Sequence, residues 1–169
     1  MKKKLYLIPR FSRIIPTKET RELANKATLG RGVESFENYA DWFFYGHLDP
    51  IQRYIHLFGM LSGTILYLYS ITTLMNQDWI LLITQIVIAT FLFYGTGVLS
   101  HFIYDKGASK SDPNYWNVTF KAVIYINLLT LVGKYDEVLR GYVEKYPFTK
   151  IDYDLIEVDK KGIWKTILK

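Results

Sequence analysis

The chain has no cysteine, which excludes disulfide staples and thiolate metal sites. Histidine is scarce too, with three in 169 residues. Charge is missing from two long stretches. No Asp, Glu, Lys or Arg occurs for 24 residues over Tyr54–Gln77, and none for 26 over Trp79–Tyr104. A helix in water needs a polar face at the 3.6-residue period, and neither run has a charged one. Each exceeds the roughly 20 apolar residues that cross a bilayer core. A chain that is 50% hydrophobic and 17% aromatic is not a disordered one. There is no Ser-His-Asp signature and no zinc-finger spacing, and Gly30-Arg31-Gly32 and Gly95-Thr96-Gly97 lack the setting of a phosphate loop.

What is present is organised around those two runs. Only Asn76, Gln77 and Asp78 separate them, so the spans about 54–77 and 79–104 are expected to be antiparallel neighbours. Arg53 flanks one far end, and Lys106 and Lys110 the other, which puts both termini on the cytoplasmic or matrix side. Asn114–Gly133 is a third apolar stretch, interrupted by Lys121, that either spans or lies in the interface. Tyr115 and Trp116 at its start suit the headgroup belt. Ser35–Gly46 reads as an amphipathic interfacial helix with Phe36, Tyr39, Trp42 and Phe43 on one side. Asp49-Pro50 reads as an N-cap and first helical residue opening the first span, and Gly59–Gly63 as a close helix contact. The expected class is an all-α integral membrane protein: an antiparallel transmembrane hairpin with an interfacial N-terminal helix, a third apolar helix and extended polar, aromatic tails.

Residues 1–34 form a basic N-terminal extension, 35–133 the membrane domain and 134–169 a C-terminal extension. Residues 1–31 hold nine Lys and Arg against Glu19 and Glu22, part of a net charge of +5. Beside membrane spans such a tail suits anionic lipid or an acidic protein partner better than nucleic acid. It is rich in Arg, Lys and Thr like a mitochondrial targeting segment, and its apolar run Leu5–Pro9 is too short for a secretory signal. In the C-terminal extension, Val138–Lys145 reads as a short helix and Thr149–Val158 as an extended segment.

The three histidines converge. His56 lies 21 residues before Gln77 and His101 lies 24 after it, so at 1.5 Å per residue their depths differ by roughly 4–5 Å. His47 precedes the first span at the same face. Polar groups in spans are costly and usually face a bundle interior, and neutral imidazole is a ligand for iron, zinc or copper. Asp105, one helical turn after His101, is a candidate fourth ligand or an orienter of that ring, and Asp49 a further oxygen donor nearby. The alternative is that histidines at a helix end hydrogen-bond headgroups or backbone carbonyls.

The segment Ser35–Met60 (SFENYADWFFYGHLDPIQRYIHLFGM) resembles the opening of a small membrane family related to the 2-hydroxy fatty acid dioxygenase of phytosphingosine breakdown. His47, Pro50, Arg53 and His56 match its pattern, with Asp49 for the usual Asn. Leu99–Lys106 (LSHFIYDK) resembles a later family motif, with Ser100 for Gly and Asp105 for Glu. The likeness covers roughly 35–129. The family's Arg-Pro-Ala after this motif is replaced here by Gly107-Ala-Ser-Lys110. The resemblance implies an iron(II)-dependent α-oxidation at an endoplasmic reticulum membrane, with His47, His56 and His101 holding iron and Asp105 in the place of the family's acid.

Two functions are therefore expected from the sequence. The first is an accessory subunit of a larger membrane assembly, in the mitochondrial inner membrane, built on a dioxygenase-like fold. Its tails would carry Tyr6, Phe11, Tyr146, Phe148, Tyr153 and Trp164 away from the hairpin onto other subunits, since aromatic residues anchor interfaces. The second is an active iron(II) dioxygenase shortening 2-hydroxy fatty acids. A transport role is disfavoured by the lack of an intramembrane charge pair.

Overall fold

Asp49 opens the longest helix by accepting hydrogen bonds from the backbone N–H of Ile51 and Gln52, with Pro50 at the first helical position. In a computed structural model, which describes residues 5–108 and 112–169, that helix is α3, Pro50–Met75. Before it come strand β1 (Tyr6–Pro9), helix α1 (Lys18–Leu29) and helix α2 (Tyr39–Tyr45). After it come α4 (Trp79–Thr90), a π turn over Phe91–Gly95 and α5 (Thr96–Tyr104), which run on as one rod. The chain continues through α6 (Trp116–Leu131), α7 (Tyr135–Lys145), α8 (Phe148–Asp152), β2 (Leu155–Val158) and α9 (Lys160–Ile167). Lys110, read as a flanking charge, and the basic start Met1–Lys4 lie outside the described residues.

The fold is mostly helical, with two helices long and apolar enough to cross a membrane, Pro50–Met75 and Trp79–Tyr104. Asp78 caps α4 through the Leu81 N–H, and Gln77 makes the turn with φ +58°. The helices touch through small residues. A Cβ on Gly59 would strike the Thr96 side chain, and one on Gly63 would come within 2.8 Å of the Ala89 carbonyl. Farther along, the Tyr67 hydroxyl meets Thr90 Oγ1 at 2.7 Å. With the Gly63–Phe93 contact between them, Gly59–Thr96 and Tyr67–Thr90 form a series that falls in one helix as it rises in the other. The Gly59–Gly63 pair thus serves close approach. The outer faces stay apolar and open: Phe58 is 65% exposed, Ile65 66% and Ile80 83%. At 16 residues, α6 is about 24 Å long, short of a core roughly 30 Å thick.

The terminal segments do not extend. β1 pairs antiparallel with β2, Tyr6 opposite Val158 and Pro9 opposite Leu155. Leu7, Ala27, Leu139, Tyr142, Tyr146, Tyr153 and Leu155 share one core with Phe36, Phe43, Phe44 and Ile126. The expectation that the tails reach away from the hairpin is thus corrected. Aromatic residues of the C-terminal tail pack on rings of the 35–133 segment: Tyr153 stands edge-on to Tyr45 at 4.9 Å, and Tyr146 lies 5.2 Å from Phe36. Such ring pairs add to the burial of large apolar area. Thr149–Val158 is not wholly extended either. Its first part is the helical turn α8, and Asp154, at φ +42°, turns the chain into β2. The interfacial helix expected over Ser35–Gly46 is the shorter α2, and Tyr39 and Phe43 face this protein core rather than lipid.

Leu155 tests the folded tail. It is 4% exposed, so Leu155→Ala is expected to cost about 2–5 kcal/mol, read as a lowered thermal unfolding midpoint in detergent. A free tail would leave the midpoint unchanged.

Candidate metal centre

Each histidine is set by a different local rule. His47 follows α2, where its backbone N–H closes a turn on the Phe44 carbonyl at 2.9 Å. Its ring stacks on Phe43 with centroids 4.2 Å apart. Nδ1 lies 2.7 Å from the Phe43 carbonyl oxygen, which can only accept, so Nδ1 holds the proton and Nε2 presents a lone pair. The Tyr135 hydroxyl donates to the His47 carbonyl at 3.0 Å. Burial pushes the Tyr135 hydroxyl up to about 12, so it stays a neutral donor there.

His101 owes its aim to the π turn. Ala89 and Gly97 both face α3, beside Gly63 and His56. Eight residues of regular helix turn through about 800°, roughly 80° off that line. The bulge over Phe91–Gly95 absorbs one residue and brings the remainder close to two whole turns. Gly97, Ser100 and His101 are thereby buried on one side. Asp105 then fixes the ring, its Oδ2 at 2.8 Å from His101 Nδ1. That carboxylate is fully buried and also receives Gln52 Nε2 at 3.1 Å and Thr28 Oγ1 at 3.5 Å.

His56 sits in the second turn of α3 against Gly97, where a Cβ would come within 2.9 Å of its Cε1. Its Nε2 is buried and has no hydrogen-bond partner.

The structure brings all three together. One ring nitrogen from each lies within 4.8 Å of the others, and His47 Nε2 is 3.4 Å from His101 Nε2. Ring centroids stand 5.1–5.5 Å apart, each pair within two degrees of perpendicular. With both Nδ1 protons committed, the Nε2 atoms of His47 and His101 meet lone pair to lone pair. A shared proton would satisfy those two and leave His56 Nε2 unpartnered. A cation at the common point could be held by one nitrogen from each ring. The donor set of neutral imidazoles suits iron(II), zinc or copper.

The carboxylates take other places. Asp105 stands at His101 Nδ1 and is not among the three residues whose ligand atoms converge. Asp49 serves the α3 cap and accepts from Ser12 Oγ at 3.2 Å. Burial pushes its carboxyl above the ordinary range, against the Ile51 N–H, the Arg53 charge, the Gln52 N–H and Ser12. Sequence reasoning missed Gln52, Thr28 and Asn25, whose amide donates to the Asp105 carbonyl at 2.7 Å. The available signal was Gln52, one helical turn before His56 on the same face. No family model matches this chain, and neither a curated protein nor a solved structure does.

Asp105→Asn should weaken metal binding about 10–100-fold, the usual consequence of removing a group that orients a histidine ligand. Chelator competition on purified protein measures it, and unchanged affinity would remove Asp105 from the centre.

Proposed function

We propose that the protein is a membrane-embedded metalloenzyme, an iron(II)-dependent oxygenase acting on an acyl-chain substrate. One observation carries this reading: three histidines, two buried and His56 half-buried, on the α2–α3 turn, on α3 and on α5, bring one nitrogen each to a common point. Membrane insertion is supported by the open apolar faces of α3, α4 and α5, since exposed apolar patches of that extent are rare on soluble monomers. In this reading α3 and α4–α5 cross the bilayer as an antiparallel hairpin. The centre then lies near the interface, within reach of the polar end of a lipid. The dioxygenase family that Ser35–Met60 resembles supplies the reaction class, α-oxidation of a 2-hydroxy fatty acid.

His47, His56 and His101 would hold iron(II), which would supply the activation of dioxygen. The chain does the rest. Asp105 and the Phe43 carbonyl hold the Nδ1 protons of His101 and His47, so Nε2 is the nitrogen offered in both. Three neutral ligands leave the ion's charge uncompensated, which favours an anionic substrate. Asp105 balances it only from behind His101.

The accessory-subunit reading drew its strength from tails reaching outward. Those tails are folded onto the chain's own helices, and Thr28 and Asn25 from the basic N-terminal segment support Asp105 directly. The enzyme reading therefore stands first.

Metal analysis of protein purified without chelators should find a stoichiometric transition metal, lost in His56→Ala and His101→Ala. Oxygen uptake should follow addition of a 2-hydroxy fatty acid to iron-loaded protein. Wild-type protein that takes up no metal under anaerobic iron loading would overturn the proposal.

A further inference from the structure

Arg53 is the buried cation that the metal centre does not use. It lies one turn before His56 on α3 and is 8% exposed. Its guanidinium carbon sits 3.5 Å over the Tyr135 ring, and Nη1 donates to the Leu48 carbonyl at 2.6 Å. Its Nε is buried and has no partner. Among the described residues Arg53 makes no ion pair. Arginine keeps its charge in any protein setting, and an unpaired buried charge is costly.

The side chain lines a pocket of about 100 Å³ with Leu7, Tyr54, Thr130, Tyr135 and Asp136. That is the room of about three waters, enough for one small oxyanion and not for a whole lipid. Two carboxylates stand nearby, and both are engaged. Asp136 accepts from the Leu7 N–H at 2.8 Å and pairs with Arg140 at 3.4 Å. Asp49 holds the α3 cap and Ser12. The rim at Tyr54, 55% exposed, leads onto the open apolar face of α3 past Phe58.

We propose that this pocket binds the oxyanion of a membrane amphiphile, a carboxylate or phosphate, with Arg53 as its charged partner and the acyl chain lying along α3. The inference rests on α3 being a membrane helix, as in the proposed function, and does not require a metal. A fatty acid and a phospholipid headgroup share this chemistry. The guanidinium supplies the charge-assisted bonds that recognise either, and the adjoining apolar face accepts the chain.

The test uses the full chain in a neutral detergent, freed of metal with a chelator, and calorimetric titration with laurate, dodecyl phosphate and dodecanol. At least one of the two anions should bind at least about tenfold tighter than the alcohol, the scale of a bond to a charged group. The stronger anion identifies the source. Arg53→Gln should abolish the preference and Arg53→Lys should keep part of it. Thr130→Phe fills the pocket with Arg53 in place and should abolish anion binding, which decides the matter if Arg53→Gln does not fold. Anion and alcohol binding alike, or either variant binding anion as wild type does, would overturn the pocket. Metal uptake by wild-type protein separates the two readings: metal bound with no anion preference sinks only the pocket, and anion preference with no metal bound sinks only the metal centre.

Discussion

Asp105 is a carboxylate with no exposure at all, and a buried charge must be met by donors or it destabilises the fold. Three residues meet it, and a fourth holds its backbone. His101 comes from its own helix, Gln52 from α3 and Thr28 from α1, while Asn25 takes the backbone carbonyl. These bonds tie the N-terminal segment to both long helices at the level of the histidines. They also decide which nitrogen His101 presents. The position of α1, the packing of α3 on α5 and the tautomer of a ligand thus depend on one side chain. Among the described residues its Oδ1 has no hydrogen-bond partner.

The same economy governs the rest of the fold. The outer faces of α3, α4 and α5 are apolar and cover no other element, so the core gathers at one end, around α2. There the rings of Phe36, Phe44 and Tyr45 meet those of Tyr135, Tyr142, Tyr146 and Tyr153. Two polar tips are satisfied within the layer: the Tyr142 hydroxyl donates to the Asp41 carbonyl at 2.7 Å, and Tyr45 reaches Asp152 at 3.1 Å. Burial, first, and Asp152 beside it raise the Tyr45 hydroxyl above its ordinary range. It remains a donor. The layer supports His47 from outside through Phe43 and Tyr135.

Local signals were readable in the sequence, and long-range ones were not. Asp49-Pro50 is a helix start because an Asp side chain and a Pro lacking N–H suit those positions whatever surrounds them. Asp78 and Gly59–Gly63 act as their types and spacing suggest. The histidines could be placed at one level because helical rise converts separation into depth. Their exact aim could not be read, since it depends on one extra residue in a π turn that Phe91–Gly95 does not advertise. The tails were misjudged because the aromatic residues of 134–169 carry no sign of which rings they meet. The pairing of Tyr6 with Val158 spans nearly the whole chain, and no local pattern specifies it. Arg53 read as a flanking charge, and its burial beneath Tyr135 is likewise a long-range fact.

The central claim is that three imidazoles share one ion. X-ray absorption at the metal edge of iron-loaded protein tests it most directly. The account predicts three imidazole nitrogens at about 2.1 Å, falling to two in His56→Ala. A spectrum with oxygen ligands only, or one that His56→Ala leaves unaltered, would contradict it.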